Sequence, residues 1–246
     1  MALSKAIFEL RERIRLSPGK IPRGSVELAG VQLNLGGVHE WFGSAAAGMG
    51  QPDRHWLPPM CILADLARRA IAQRAVSSIF WIGRRLWPYP LLLDQHRHVL
   101  ARSVLIDPPD NATRLWAIDV ALRTPVGGVA GGMGAVAVIA DAQGLTLPHT
   151  RRLQLAAGAF GGLCLLARPP GELDRLSAAS TRWRITPAVS STSRPRWTLA
   201  LLRHKDRPAL TDEPPSWIME WNHAQGLICV PAPLAYPARG ATAHAG

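Results

Sequence analysis

The sequence predicts an α/β fold: a mainly parallel sheet flanked by helices, with antiparallel strands at its C-terminal end. Three observations predict it. Short continuous apolar runs recur at Val38–Phe42, Ser78–Ile82, Ser103–Ile106, Ala135–Ala140 and Leu163–Ala167, as strands buried on both faces require. Segments of helical period separate them, and a βαβα alternation belongs to a parallel sheet covered on both faces. From residue 180 the period changes to two, the mark of half-exposed antiparallel strands.

Length and composition agree. The 246 residues suffice for one large domain or a domain with an appendage, and a hydrophobic content of 48% supports a core. Only 18% of residues are charged, yet the formal net charge is +11. That balance favours an anionic partner, most often nucleic acid, through phosphate contacts and long-range steering. Two blocks hold much of the excess. Residues 1–24 carry Lys5, Arg11, Arg13, Arg15, Lys20 and Arg23 against Glu9 and Glu12; residues 151–207 carry eleven Lys/Arg against Glu172, Asp174 and Asp206. Cys61, Cys164 and Cys229 fit neither a disulfide framework nor a metal cluster, which suits a reducing cytoplasm. Charges interrupt every apolar run before it reaches membrane-spanning length, and Glu9, Arg11, Glu12 and Arg13 break any signal-peptide core. A cytoplasmic, nucleoid-associated protein with no membrane contact is expected.

Residues 3–16 read as an amphipathic helix, with Leu3, Ile7, Leu10 and Ile14 on one face and Ser17-Pro18-Gly19 as its stop. A lone helix of this length is marginal in water, so the stripe must dock, on its own domain or on a partner. Those four residues are the partner-binding candidates. Residues 20–37, punctuated by Gly and Pro, read as a connector. Val38–Phe42 is the first central strand. Gln51–Pro59 is polar and Pro-rich and delays a helix over Met60–Arg74, with Ile62, Leu63, Leu66 and Ile71 inward. Ser78–Ile82 is the second strand, and the loop Gly83–Pro90 presents Arg84, Arg85, Trp87 and Tyr89 before a short apolar helix or turn.

Ser103–Ile106 is ended by Asp107-Pro108-Pro109, and Asp110 or Asn111 caps a helix to Arg123. Thr124–Gly134 is a Gly-rich loop. The strand Ala135–Ala140 runs into Asp141, Pro148–Phe160 is a helix carrying Arg151 and Arg152, and Arg168-Pro169-Pro170 stops the fifth strand. Thr181–Pro187 and Arg196–Arg203 alternate polar and apolar residues across a polar loop, Ser190–Pro195. Ser216–Trp221 and Leu227–Val230 form a last hairpin, and the tail from Pro231 has a disorder-type composition. The expected organisation is a helix and linker over 1–24, a core over 25–207, and a hairpin with tail over 208–246.

The stretch after the first strand carries the clearest motif. A phosphate loop of the GxxxxGK[ST] type wraps phosphates with backbone N–H groups, reaches them with Lys and holds Mg²⁺ with a hydroxyl. Gly43 and Gly48 keep the glycine spacing around Ser44, but Met49 and Gly50 replace the Lys and the hydroxyl. The alternative is a plain Gly/Ala-rich turn. Asp141, at the end of an apolar strand, is placed like a metal-binding acid; equally it can form a turn. Arg182, Arg184, Arg194, Arg196 and Arg203 interleave with Trp183 and Trp197, a combination able to pair with phosphate and stack on unpaired bases. The alternative places both Trp residues in the core and the Arg residues on a solvated face. His96 and His98 join no acid or Cys cluster, so no metal site is expected, and no Ser-His-Asp or Cys-His arrangement is visible.

The order of these elements resembles the core of the RecA family of recombinases and, within it, the RecA-like ImuA group, also called SulA-like. The stretches that carry the resemblance are His39-Glu40 before the glycine loop, Arg151–Ala157, Ser177–Arg184, Pro195-Arg196-Trp197 and Trp217–Trp221, over residues 25–225. The resemblance implies a RecA-like core in which Gly43, Ser44, Gly48, Met49 and Gly50 are a phosphate-loop remnant and Asp141 is Walker-B-like. RecA-like proteins also carry a catalytic carboxylate just after the second strand. Here Ile82 runs into Gly83-Arg84-Arg85. Without Lys, hydroxyl and carboxylate, ATP hydrolysis is not expected, because charge developing on the phosphates would go unneutralised; no cofactor is expected.

The implied role is that of a non-catalytic accessory protein in error-prone translesion synthesis during the DNA-damage (SOS) response. It would bind DNA, single-stranded rather than duplex, beside an ImuB-type Y-family-like protein, an error-prone polymerase and RecA. Arg151, Arg152, Arg182, Arg184, Arg194, Arg196, Arg203, Trp183 and Trp197 are the DNA-binding candidates. Two other readings stay open: a SulA-like cell-division inhibitor acting by protein contact, and an ATP-binding NTPase with a divergent loop.

Overall fold

The computed structural model describes residues 24–45, 55–89, 97–124, 126–127, 133–190, 192–206 and 213–230. The N-terminal helix with Leu3, Ile7, Leu10 and Ile14, the loop residues Gly48, Met49 and Gly50, and the tail from Pro231 lie outside the described residues.

In chain order the strands are β1 (Ser25–Leu28), β2 (Val31–Asn34), β3 (Gly37–Phe42), β4 (Ser44–Ala45) and β5 (Trp56–Leu57), followed by helix α1 (Met60–Ala72) and β6 (Ser78–Ile82). Next come a 3₁₀ turn at Arg84–Leu86, α2 (Arg97–Leu100), β7 (Ser103–Ile106), α3 (Asn111–Arg123), β8 (Val126–Gly127), β9 (Met133–Gly134) and β10 (Val136–Asp141). The remainder is α4 (Leu147–Phe160), β11 (Leu163–Arg168), a 3₁₀ turn at Pro170–Glu172, β12 (Thr181–Ala188), β13 (Arg196–His204), β14 (Ser216–Asn222) and β15 (Gly226–Val230).

The main sheet has nine strands in the order β15-β14-β13-β12-β3-β11-β10-β6-β7. From β12 to β7 all neighbours are parallel; from β12 to β15 they are antiparallel. The expected parallel sheet with an antiparallel C-terminal extension is therefore present. β12 differs from its expectation in one respect: it runs parallel to β3 on one edge and antiparallel to β13 on the other. The final hairpin, β14–β15, extends this same sheet.

Residues 20–37 hold more than the expected connector, because β1 and β2 pair as a hairpin. Val26, Leu28, Val31 and Leu33 are buried, whereas Glu27 and Gln32 are exposed. Ala29 and Gly30 both have positive φ, 52° and 76°, as a tight hairpin turn matched to strand twist requires. The flanking glycines hid this short alternation.

Two apolar layers cover the sheet. On one face, α1 and the β1–β2 hairpin bury Ile62, Leu63 and Leu66 with Trp41, Trp81 and Trp183. On the other, α3 and α4 bury Ile118, Leu122 and Leu153 with Val38, Val138 and Leu166. Asp110 caps α3 by accepting from the Thr113 N–H at 2.7 Å, and Gly161 ends α4 in the left-handed conformation at φ 70°.

The sheet reaches around α1, where buried Asp65 accepts from Arg68 and Arg69, each at 2.7 Å. These arginines in turn donate to Gln225 O at 3.1 Å and Leu227 O at 2.7 Å, fastening the β14–β15 turn to the helix. A Cβ at Gly226 would overlap the Asp65 carboxylate. Among the described residues, no helix is long and apolar enough to cross a membrane.

Candidate functional site

In a parallel sheet of this kind ligands bind outside the carboxyl ends of the strands. β3 brings Gly43 there, β10 brings Asp141, β6 brings Gly83–Arg85, and α1 points its N-terminus at the same end. The backbone after β3 is closed. The Gly43 N–H donates to Arg168 O at 3.0 Å, and Ser44–Ala45 pair with Trp56–Leu57 as a two-residue antiparallel bridge. A Cβ at position 43 would overlap the Leu57 carbonyl and lie 2.9 Å from the Trp56 ring. Gly43 is thus required by a close approach of its own chain. The rest of the remnant, Gly48, Met49 and Gly50, lies outside the described residues.

Asp141 is engaged too. Its Oδ1 accepts the Gln143 N–H at 3.0 Å, and Arg114 of α3 lies 3.6 Å from its Oδ2. The same arginine donates to Gln143 O at 2.6 Å. Asp141 therefore shapes the turn after β10, the plainer of its two readings. Gly83 sits at φ 100°, and a Cβ there would lie 2.9 Å from that of Asp141. The second strand leads into arginines: Arg84 is exposed, and Arg85 lies over the Trp56 ring at 5.5 Å. Cationic side chains line the place where a nucleotide-hydrolysing site gathers acids and a metal. No group of three or more metal-ligating side chains occurs among the described residues.

Beside Gly43 is a charge network centred on the fully buried Glu40 and Arg168. Glu40, on β3, accepts from Arg168 at 2.6 Å, from the Ser177 hydroxyl at 2.8 Å and from Arg182 at 2.8 Å. Arg168, itself 0% exposed, also donates to Glu172 at 2.7 Å and to Leu145 O at 2.8 Å. Glu172 accepts the Gly144 N–H at 2.8 Å. Buried charge survives only when paired and hydrogen-bonded, and each member here meets that condition. Sequence reasoning noted Glu40 and Arg168 without joining them. The available signal was an acid inside one continuous apolar strand and an arginine ending another.

The nine DNA-binding candidates separate into groups. Trp183 is fully buried, its ring stacked on Trp41 at 5.3 Å and 5°, and its indole N–H donates to Thr181 Oγ1 at 2.9 Å. It cannot stack on a base, which corrects that expectation. Period two already placed Trp183 with Ile185 on the core face. Trp197 is half-buried and opens onto a pocket on that same face. Arg182 is committed to Glu40 and Leu173 O, over the Phe42 ring at 4.8 Å, so it too is structural.

Arg203 donates to Ser177 O at 2.7 Å while staying exposed. Arg194 and Arg196 share Glu220 at 3.2 and 2.7 Å. The Arg196 hydrogen bond, followed by that from Arg194, holds the Glu220 carboxyl below the usual range. Arg152 bonds Asp119 at 2.8 Å across the α3–α4 contact. Arg151 and Arg184 are exposed. Arg184 pairs in register with Phe42, four residues beyond Val38, on the side of the sheet that also carries α4 and Arg151.

No protein-family model matches the chain. Protein ImuA of two strains of Caulobacter vibrioides is 30% identical over 208 residues, a span covering 78% of this chain and 78% of the relative. Among solved structures, the RadB recombinase superposes with a TM-score of 0.50 at 13% identity, covering 78% of this chain and 90% of its own. That likeness bears on the fold, which is RecA-like. The identity to the Caulobacter protein extends over more than three quarters of both chains, and the chain belongs to the ImuA family.

Proposed function

We propose that the chain is a non-catalytic accessory protein of DNA-damage-induced mutagenesis. It acts on single-stranded DNA beside an ImuB-type protein, an error-prone polymerase and RecA. Family membership supports that pathway, and one structural observation supports the accessory role. The loop after β3 is closed by its own chain at Gly43–Ala45, and Asp141 is engaged by Arg114 and Gln143. Phosphate and Mg²⁺ would have to displace these contacts without the Lys and hydroxyl that normally hold them. DNA would be met by the basic outer side of the sheet, through Arg151, Arg184, Arg194 and Arg196.

Anisotropy with labelled single-stranded DNA across a salt series, with and without ATP and Mg²⁺, tests the reading. The expected result is affinity that falls log-linearly with salt and ignores ATP. Arg184→Ala and Arg151→Ala should each flatten the single-strand salt slope by about 0.7, uniformly across DNA sequences. ATP-dependent affinity or phosphate release would reinstate the NTPase reading. No binding at low salt would move the protein to a role of protein contact alone.

A further inference from the structure

In the helix layer on the Val38–Val138–Leu166 face of the sheet, α3 and α4 each turn one stripe to solvent. On α3 the stripe is Trp116, Val120 and Arg123, at helical spacing i, i+4, i+7, and all three are exposed. On α4 it is Arg151, Arg152, Leu155 and Ala159, likewise exposed. Arg152 reaches across to Asp119 Oδ2 at 2.8 Å, and Arg123 meets the same oxygen at 3.0 Å, so the two stripes lie side by side. We propose that this face binds single-stranded DNA, with Trp116 as the platform for an unpaired base and Arg123, Arg151 and Arg152 on the phosphates. The proposal rests on the DNA-binding reading above and gives that reading a site.

Charge selects the ligand. The two helices carry Arg114, Arg123, Arg151 and Arg152 against a single acid, Asp119. Arg114 is turned away and held by Asp141 and Gln143 O. The Asp119 side chain is 7% exposed, whereas Arg123 and Arg152 keep 44% and 53%. One buried carboxylate therefore positions two guanidinium groups without neutralising both, and Arg151 adds a third positive charge. Phosphate complements that surplus. Arg184 of β12, exposed on the same side of the sheet, continues the basic surface beyond α4.

The aromatic group selects the strand state. Trp116, at 60% exposure, is the most exposed tryptophan among the described residues. It belongs to neither core cluster, so packing does not account for an indole at this position. Duplex DNA would bring phosphates but no free base face. A single strand brings one phosphate with every base, the combination that an indole among arginines is built to take. Val120 and Leu155 beside it offer apolar contact to the sugar and base.

The test uses the full chain and two fluorescein-labelled single strands of equal length, an oligothymidine and an abasic twin that keeps the phosphates and lacks the bases. Trp116→Ala should weaken oligothymidine binding at least about fivefold with its salt slope unchanged, and Trp116→Tyr should retain most of the affinity. On the abasic strand, Trp116→Ala should bind like the parent chain. Arg152→Gln should do the converse and lower the salt slope by about 0.7 on both strands. The urea midpoint of Trp116→Ala should stay nearly unchanged, because the side chain is at the surface. Unchanged oligothymidine binding in Trp116→Ala, or an equal loss on both strands, would overturn the proposal. Loss of binding to an ImuB-type protein in Trp116→Ala, with DNA affinity intact, would also overturn it and give the face to a protein partner. If the parent chain binds neither strand, the DNA-binding reading itself fails. If it binds and Trp116→Ala matches it, only the assignment of this face falls.

Discussion

Glu40 and Glu220 each hold two arginines, with opposite consequences. Glu40 takes Arg168 and Arg182 at the end of β3 with its side chain fully buried. Glu220 takes Arg194 and Arg196 on β14, where the Arg194 side chain remains 48% exposed. The first group cannot exchange its partners without exposing a bare charge to the core. The second can, because water and phosphate compete on equal terms for surface arginines. An arginine's presence in a basic stretch therefore says little about nucleic-acid contact. Both acids are buried, and the exposure of the arginine itself decides.

The largest effect should come from breaking the buried side of this pair. Glu40→Ala leaves Arg168, at zero exposure, with Glu172 as its remaining carboxylate, and removing one member of a buried pair costs about 3–5 kcal/mol. Urea titration should show a loss of that order. Replacing both members, Glu40→Leu with Arg168→Met, should recover part of it, since the Arg168 charge is then gone from between β3 and β11 and Glu172 keeps Arg175. A loss under about 1 kcal/mol in Glu40→Ala would mean that the network does not fasten the strand ends.

His39 sharpens the comparison, because it adjoins Glu40 on β3 yet points to the opposite face with no counter-charge. Its Nδ1 meets Thr181 Oγ1 at 2.9 Å and its Nε2 meets Asn34 O at 3.1 Å. Burial pushes the imidazole down to about 4, with a smaller opposing effect from the Asn34 carbonyl and a further lowering from His204. Above pH 6.5 the ring is neutral in both folded and unfolded chains and contributes no slope. As the pH falls from 6.5 to about 4, the unfolded chain takes up a proton that the folded chain refuses. Stability should fall across that window by up to about 3 kcal/mol. Urea midpoints from pH 7.5 to 4 should show the decline, and His39→Gln should remove its part of the slope.

Much of this was legible in the sequence, for reasons specific to each element. Ser78–Ile82 and Ser103–Ile106 are bounded by turn residues and contain no ambiguous period, so the expected strand limits match the observed ones. Asp110 announces α3 because its short side chain reaches back to the Thr113 N–H. The Asp65–Arg68–Arg69 clamp was not legible. Its spacing is that of any exposed helix pair, and only the approach of Gln225 and Leu227, more than 150 residues away, turns it into a buried tie. Trp197 and Trp183 looked equivalent as interleaved aromatics. One stacks on Trp41 and the other walls a pocket, a distinction set by which strand and helix end lie opposite.

The smallest structural effect and the most telling functional one belong to Glu220→Ala. The carboxylate is itself buried, but its partners Arg194 and Arg196 keep 48% and 21% side-chain exposure and can turn to water, so its removal should cost less stability than Glu40→Ala. What changes is the competition. Arg194 and Arg196 lose their internal acceptor and become free to release counterions from DNA. Each phosphate contact adds about 0.9 to the salt slope for duplex DNA and about 0.7 for single strands. Two freed arginines should steepen the single-strand slope by up to about 1.4 and raise affinity most at low salt. Glu40→Ala, whose arginines are only 0% and 13% exposed, should lose stability without any such gain. If the Glu220 variant gains no affinity, DNA does not reach β13, and its path must be sought along α4, where Arg151 faces solvent without competition.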